Sequence, residues 1–257
     1  MDMDVPVRRI KCDVMTLWPW RWRILRWSGG IPSATGGVCN SDVFFLRCWV
    51  WWLFVRWLVL RIGRTGVGRT GMGLEDGMEY LIAIDTKDGK RKWKIEVGPQ
   101  FSNNWGDGPR GTPSVAGDLV YAVSGQGNVV CANVADGKRV WDADLKRFGG
   151  KVPGWGYSES PLVEGKLLIV TPGGKDGTLL ALDSKTGEKV WQSVGWEDGA
   201  HYSSPIVVTH NGVRQVIQLT SQNVAGVDVK DGKVLWKSAW PGKTAVIPTP
   251  IFKDGLV

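Results

Sequence analysis

The segment ALDSKTGEKVW at residues 181–191 carries the pattern that decides the fold, because it recurs along the chain at a nearly constant interval. The related segments are AIDTKDGKRKW at 83–93, ANVADGKRVW at 132–141 and GVDVKDGKVLW at 226–236. Their terminal tryptophans are 48, 50 and 45 residues apart: Trp93, Trp141, Trp191 and Trp236. A period of this size indicates tandem supersecondary units that pack against one another.

A second recurring segment keeps step with the first and begins with an X-Pro pair. Its copies are GTPSVAGDLVYAV from 111, ESPLVEGKLLIV from 159, SSPIVVTHNGVRQVIQL from 203 and TPIFKDGLV from 249. Alternating β-branched and small residues predict strands, and the Gly-containing pairs between them predict tight turns. Each period therefore predicts a four-stranded antiparallel meander, and the chain an all-β fold, a β-propeller built of such blades.

The turn that leads into each tryptophan strand has a defined chemistry. Its glycine stands where a hairpin requires positive φ, and the preceding Asp or Thr can hydrogen-bond the turn backbone. The tryptophan that follows is a large apolar plate on a strand. We expect Trp93, Trp141, Trp191 and Trp236 to be structural residues, with their area buried between neighbouring blades.

This pairing of an A-x-D-x-x-(T/D)-G-K-x-x-W segment with an (S/T)-P-x-(V/I)-x-x-G strand resembles the quinoprotein, or PQQ-binding-like, propeller repeat. The likeness covers residues 75–257. It implies tryptophan docking between blades and about four of the eight blades of such a propeller. The family contains PQQ-dependent alcohol dehydrogenases and cofactor-free relatives such as the BamB-type scaffolds of outer-membrane protein assembly. The resemblance also implies a periplasmic or exported location.

Two functions follow from the resemblance, and the sequence leaves both open. The first is a non-catalytic binding or scaffold module that uses its blade faces or channel mouth for a protein or glycan partner. The alternative is a fragment of a PQQ-dependent alcohol dehydrogenase. The stretch KVPGWGYSESP, residues 151–161, resembles polyvinyl-alcohol-type members of the family. Whether the chain is an enzyme therefore stays undecided, and any enzyme would be a quinoprotein oxidoreductase.

The residues that such an enzyme needs are only partly present. The resemblance implies a tryptophan floor for PQQ, calcium held by Glu and Asn, a catalytic Asp and often an adjacent cysteine pair. The cysteines are not adjacent: Cys12, Cys39, Cys48 and Cys131. No cluster of Asp, Asn and Glu at loop spacing offers the six to eight oxygens that calcium takes. We assign no metal site and no cofactor from the sequence, with PQQ and calcium as the alternative.

Aromatic and charged residues concentrate just before three of the X-Pro strands, in NNWGDGPRGTP from 103, GWGYSESP from 154 and HYSSP from 201. The innermost strands of a propeller begin at one mouth of its channel, so we expect these segments to converge there. The candidate stacking residues are Trp105, Trp155, Tyr157 and Tyr202. The candidates for orienting polar groups are Arg110, Glu159 and His201. The alternative is that the aromatic rings plug the channel and the charges cap strand ends.

The formal charge of +7 comes from one part of the chain. Residues 1–74 contain 11 of the 32 Lys and Arg and only 4 of the 25 Asp and Glu, which leaves 21 of each kind in residues 75–257. A neutral repeat region lacks the sequence-independent attraction to phosphates that supplies most non-specific nucleic-acid affinity. We therefore expect no nucleic-acid partner.

Residues 1–74 differ from the rest and contain half of the 16 tryptophans, interspersed with arginine. Residues 43–60 are long enough to span a membrane, but each arginine within them, Arg47 and Arg56, would cost about 2.5–3.5 kcal/mol near the bilayer centre. The opening residues do not form a clear signal peptide. We divide the chain at residues 74 and 75, and interpret the first segment either as a frame or start error or as a membrane-associated leader.

The last repeat copy reaches Val257 within the first hairpin of a blade. We expect a longer complete protein, and an open arc of blades whose exposed strand edge would favour self-association.

Overall fold

The computed structural model describes residues 69–257, which are almost entirely strands and turns. The strands in chain order are β1 Arg69–Glu75, β2 Met78–Ile84, β3 Arg91–Pro99, β4 Ser102–Asn103, β5 Gly106–Asp107, β6 Ser114–Ala116, β7 Leu119–Val123, β8 Asn128–Asn133, β9 Arg139–Asp144, β10 Leu162–Glu164, β11 Leu167–Val170, β12 Leu180–Asp183, β13 Lys189–Gln192, β14 Ile206–His210, β15 Val213–Leu219, β16 Asn223–Asp228 and β17 Val234–Ala239. A 3-10 helix spans Leu145–Phe148.

The strands form successive antiparallel sheets, each with its strands in chain order. Sheet I is β1-β2-β3, sheet II is β6-β7-β8-β9, sheet III is β10-β11-β12-β13 and sheet IV is β14-β15-β16-β17. The short strands β4 and β5 pair with each other between sheets I and II. The predicted all-β fold of four-stranded antiparallel propeller blades is confirmed. Sheet I has three strands among the described residues.

The four sheets have the same register, because the same type of turn joins the last two strands of each sheet. Within each sheet the tryptophan pairs with a small residue across the strand, in the pairs Ala83–Trp93, Cys131–Trp141, Ala181–Trp191 and Gly226–Trp236. A register shift follows directly after each pair, next to the turn. At the turn of sheet III, the Gly187 N–H donates to the Asp183 carbonyl at 2.8 Å, and Gly187 has a φ of +76°. A side chain at that φ would be strained, so the glycine fixes the turn.

The tryptophans join neighbouring sheets. The indole Nε1–H of Trp93 donates to the Val134 carbonyl at 2.9 Å, Trp141 to the Ser184 carbonyl at 3.0 Å and Trp191 to the Val229 carbonyl at 2.9 Å. Each indole lies on the turn glycine of the next sheet, so closely that an added Cβ would stand 2.6–2.7 Å from a ring atom. Trp236 differs, because its Nε1–H donates to Gln215 Oε1 within its own sheet at 2.6 Å.

The hydrophobic core lies between adjacent sheets. Buried side chains of sheets II and III meet around Tyr121, Leu168 and Leu180, with Cys131 among them. Separate clusters fill the interfaces of sheets I and II and of sheets III and IV. Sheets II and III thus bury both faces, which is why their central strands are buried in almost every position.

Strand β1 crosses the predicted division of the chain at residues 74 and 75. Residues 1–68, which include the apolar stretch 43–60 and the first three cysteines, lie outside the described residues. The interpretation of the tryptophan- and arginine-rich segment therefore stays a prediction. Within residues 69–257, no helix has the length and apolar character needed to cross a membrane.

Candidate functional site

The segments before the X-Pro strands lie side by side, as hydrogen bonds between successive copies show. Ser114 Oγ donates to the Pro161 carbonyl at 2.5 Å, and Ser203 Oγ donates to the Pro248 carbonyl at 2.9 Å. The Ser160 N–H donates to Ser204 Oγ at 2.9 Å. Equivalent positions of consecutive repeats are therefore neighbours in space, which brings together residues that are about 45 positions apart in sequence.

Four of the predicted site residues form one continuous group of rings, here named the aromatic platform: Trp105, Trp155, His201 and Tyr202. The ring centroids of Trp105 and Trp155 are 6.2 Å apart at an interplanar angle of 73°. Trp155 and Tyr202 are 5.3 Å apart at 31°, and Tyr202 and His201 are 4.8 Å apart at 52°. These edge-to-face and tilted arrangements are the favourable geometries for aromatic pairs.

Trp105 stands at the tip of the β4–β5 hairpin with 60% of its surface exposed. Its N–H donates to Asn103 Oδ1 at 2.9 Å, which closes the turn. The Asn103 Nδ2 group donates to the Gly154 carbonyl at 3.0 Å, next to Trp155 in the sequence. Asn103 therefore connects the hairpin to the segment that carries the second tryptophan, a role that its place among ordinary loop residues did not reveal.

Arg110 supports the hairpin from its base. Its Nη2 donates to the Gly106 carbonyl at 2.8 Å and to Asn103 Oδ1 at 3.3 Å. Its guanidinium carbon lies 5.2 Å from the centroid of the Phe101 ring. Partial burial lowers the pKa of Arg110, and the negative charge of Glu79 opposes that effect. Arg110 adjoins the platform but uses its donors to shape the loop.

His201 and Tyr202 are fixed by the segment after β17. The Val246 N–H donates to His201 Nδ1 at 3.1 Å, and the Tyr202 N–H donates to the Val246 carbonyl at 3.1 Å. Burial lowers the pKa of His201. Since Nδ1 accepts a hydrogen bond, the neutral imidazole carries its proton on Nε2. The Tyr202 hydroxyl accepts from the Trp155 N–H at 3.3 Å, which ties the two rings together.

Tyr157 belongs to the core rather than to the platform. It is 1% exposed and packs between sheets II and III, and its hydroxyl donates to the Pro172 carbonyl at 3.0 Å. Burial raises its pKa. A ring with so little exposed area has no face to offer a ligand, so the expected contribution of Tyr157 to a stacking surface needs correction.

Glu159 is likewise buried, with 2% of its surface exposed. Its Oε1 accepts from the Thr171 N–H and its Oε2 from Thr171 Oγ1, both at 2.6 Å. Gln218 of sheet IV donates to Thr171 Oγ1 at 2.8 Å, so the carboxylate is part of a link between sheets III and IV. Burial raises the pKa of Glu159 to about 7, although the Thr171 hydrogen bonds lower it.

A second buried carboxylate, Glu79, was missed in the sequence, although the strand pattern contained a signal for it. In β2 the buried positions alternate, and Glu79 falls on the same side as Leu81 and Ala83. Glu79 Oε1 accepts from the Phe101 N–H at 3.0 Å and Oε2 from the Gly125 N–H at 2.8 Å. A charged residue at a buried position of an alternating strand indicates that its side chain has a specific hydrogen-bond or charge partner.

The described residues do not fit the calcium and PQQ site of a quinoprotein dehydrogenase. Within residues 69–257, no group of three or more His, Cys, Asp or Glu side chains could hold a metal ion. Both oxygens of Glu159 are already hydrogen-bonded to Thr171. Trp105 and Trp155 meet at 73°, so the two rings form a corner.

The repeated four-stranded sheets and the tryptophans that join them define a β-propeller repeat protein. The chain belongs to the family described as "Outer membrane protein assembly factor BamB", whose pattern matches residues 77–246. The resemblance to PQQ-like repeats is confirmed.

Three relatives illustrate the likeness. The outer membrane protein assembly factor BamB of Burkholderia pseudomallei (strain K96243) is 32% identical over 127 residues, which are 48% of this chain and 28% of that protein. The structure of BamB from Moraxella catarrhalis matches 70% of this chain and 48% of its own, at 16% identity and a TM-score of 0.47. A europium-containing methanol dehydrogenase matches 68% of this chain and 42% of its own, at 18% identity and a TM-score of 0.47. The chain spans less than half the length of each.

Proposed function

We propose that this chain is a non-catalytic binding module of the BamB type, and that the aromatic platform binds a protein partner. The observation that supports this proposal is the platform itself. Trp and Tyr are the residues most enriched at the energetic centres of protein interfaces, because they bury a large rigid area at little entropic cost. Trp105 is 60% exposed, yet its loop is fixed by four hydrogen bonds that involve the side chains of Asn103 and Arg110. A surface that is both rigid and apolar loses little entropy on binding.

The polar candidates support a binding role over a catalytic one. Glu159 is enclosed between sheets III and IV, and the Nδ1 atom of His201 accepts a backbone hydrogen bond. A general base must reach the proton that it removes, and the Glu159 carboxylate has only 2% of its residue surface exposed. The charges of this region therefore organise the loops that present the rings.

The location and the biological setting belong to the proposal as well. The name of the Burkholderia relative refers to outer membrane protein assembly, and we propose a periplasmic or exported setting for this chain. Cell fractionation of the expressing organism would test it, since recovery with cytoplasmic markers alone would contradict the assignment. A glycan is the alternative partner, and glycan that co-purifies with the chain from the same cell fraction would indicate it.

Site-specific photo-crosslinking tests the binding role directly. A photoreactive phenylalanine analogue replaces Trp105 in the full chain, and a matched control carries it at Val190, which is 51% exposed on β13. We expect a protein adduct at position 105 that is absent at position 190, identified by mass spectrometry as a component of outer membrane assembly. Trp155→Ala should reduce the yield at least about tenfold, as for an interface hot spot. Equal adducts at both positions, or none at 105, would contradict the proposal.

The quinoprotein alternative has its own readout. The purified chain is incubated with PQQ and calcium and then passed through a desalting column. Absorbance of PQQ that elutes with the protein, and that disappears with EDTA, would favour the dehydrogenase reading over the scaffold.

Self-association is a further prediction about partners. Large apolar side chains after β17 are exposed, among them Trp240 at 45%, Ile251 at 78% and Leu256 at 73%. Contiguous exposed apolar surface is typical of interaction sites, and we propose that these side chains contribute to one. Sedimentation velocity over a range of concentrations would measure the self-association, and a Trp240→Ser, Ile251→Ser variant should sediment as a smaller species if this surface is responsible.

A further inference from the structure

The side chain of Glu79 contacts the segment that carries Trp105 and a second segment on which the Trp155 loop packs. It is fully buried, at 0% exposure, although it is a charged residue on β2. One carboxylate oxygen accepts from the Phe101 N–H and the other from the Gly125 N–H. These two N–H groups belong to residues that are 24 positions apart, so one side chain joins two separate parts of the backbone.

The first of these segments carries Trp105. Phe101 immediately precedes β4, and its carbonyl accepts from the Gly108 N–H at 2.8 Å, which closes the base of the β4–β5 hairpin. The position of Phe101 therefore sets the position of the hairpin and of Trp105 at its tip. The guanidinium of Arg110 faces the Phe101 ring and donates to the Gly106 carbonyl of the same hairpin.

The second segment supports Trp155. The Gly125 carbonyl accepts from the Tyr157 N–H at 2.9 Å. An added Cβ on Gly156 would stand 3.0 Å from the Gly125 oxygen and 3.0 Å from the Phe101 ring. The Trp155 segment thus rests directly on Gly125 and Phe101, the two residues whose N–H groups Glu79 accepts from.

There is little room for these three backbones to move independently. A Cβ added to Gly125 would stand 2.5 Å from the Phe101 Cβ and 3.1 Å from Glu79 Oε1. The absence of a side chain at Gly125 is what lets the carboxylate reach both N–H groups. Burial raises the pKa of Glu79, while both N–H donors and the charge of Arg110 lower it.

We propose that Glu79 is the positioning residue of the aromatic platform, and that its two carboxylate oxygens fix the separation and angle of Trp105 and Trp155. A carboxylate has two acceptor oxygens and can hold both N–H groups at once. A glutamine of the same shape has one acceptor oxygen and one NH₂ donor, so it must leave one of the two N–H groups without its partner. The inference rests on the proposed function only for the use of the platform, not for its geometry.

The test compares Glu79→Gln with Glu96→Gln, an exposed glutamate on β3 of the same sheet. Two-dimensional NMR of the full chain follows the indole N–H signals of Trp105 and Trp155, assigned with Trp105→Phe and Trp155→Phe. We expect Glu79→Gln to shift both signals and to abolish the ring-to-ring NOE between the two tryptophans. The indole signals of Trp141 and Trp191, which dock between other sheets, should stay in place in both variants.

Two results would overturn the proposal. One is an unchanged Trp105–Trp155 NOE in a folded Glu79→Gln variant, and the other is an equal loss in Glu96→Gln. If Glu79→Gln does not fold, Asn103→Ala decides, because it removes the hydrogen bonds of the Asn103 side chain with Gly154, Trp105 and Arg110 while Glu79 remains. Retention of the NOE in Asn103→Ala supports Glu79 as the positioning residue, and its loss assigns that role to Asn103.

The outcome is distinguishable from a failure of the proposed function. A disrupted ring pair in Glu79→Gln, together with unchanged partner crosslinking at position 105, would keep the positioning role and reject the platform as the partner site. Normal ring geometry in Glu79→Gln together with strong crosslinking at position 105 would reject the positioning role and keep the platform as the partner site.

Discussion

Replacement of Glu159 by glutamine removes a buried carboxylate whose charged form the fold disfavours. Glutamine keeps the shape of the side chain and can accept from the Thr171 N–H with its Oε1. Its NH₂ can donate to Thr171 Oγ1, because a hydroxyl oxygen has two acceptor positions and Gln218 occupies one of them. We therefore expect Glu159→Gln to fold, and the change in its stability to depend on pH.

The magnitude follows from linkage. The pKa of Glu159 rises from 4.5 to about 7 on folding. Between these values the folded state binds more protons than the unfolded state, so the stability that Glu159 contributes is complete below pH 4.5 and is lost as pH rises through 7. A change of this size corresponds to about 3 kcal/mol in total, most of which falls between pH 5 and pH 8. Glutamine does not titrate, so the variant lacks this slope.

Urea denaturation of the full chain at pH 5, 6, 7 and 8 measures the effect. The free energy of unfolding of Glu159→Gln relative to the wild type should increase by about 2–3 kcal/mol from pH 5 to pH 8. Glu188→Gln, an exposed glutamate on the turn between β12 and β13, is the matched control and should show no such trend. A difference between Glu159→Gln and wild type that stays constant within about 0.5 kcal/mol, or that decreases with pH, would refute the reasoning.

Three further changes test the remaining features. Gly187→Ala should destabilise the chain by about 3 kcal/mol, because it adds a Cβ 2.7 Å from the Trp141 ring. The control Gly165→Ala, also at positive φ but with open space around it, should cost about 1 kcal/mol. Similar urea midpoints for the two variants would argue against the contact between Trp141 and the turn. Trp141→Phe should cost about 1 kcal/mol, because the buried Ser184 carbonyl loses its indole donor but keeps the Tyr121 hydroxyl, and a shift in thermal midpoint below about 1 °C would contradict this expectation. Trp105→Ala should leave the free energy of unfolding within about 0.5 kcal/mol of wild type while it weakens partner binding; a large loss of stability would instead assign Trp105 to the core.

The repeat pattern predicted the sheets well because each blade is a local structure. The hairpin turns join strands adjacent in sequence, so the positions of Gly187 and Asp183 sufficed to place a turn between β12 and β13. It was harder to predict which side chains belong to the candidate site. Trp155 and Tyr157 are two residues apart in one aromatic loop, yet one faces the platform and the other the core. The direction of each side chain depends on the backbone of a neighbouring repeat, in this case on Gly125.

The sequence by itself determined the periodic part of this protein: the all-β class, the four-stranded unit, the turn glycines and the tryptophan at the end of each unit. These features are encoded within about 50 residues, where strand alternation and turn chemistry act locally. Only the tertiary structure decided which polar groups are available. The sequence pointed to Glu159 as a candidate for an accessible polar site, and placed Glu79 at a buried strand position without a partner. The packing of adjacent sheets removed both from water and gave them backbone partners. Burial depends on contacts between residues 12 to 46 positions apart, and no local pattern specifies those contacts.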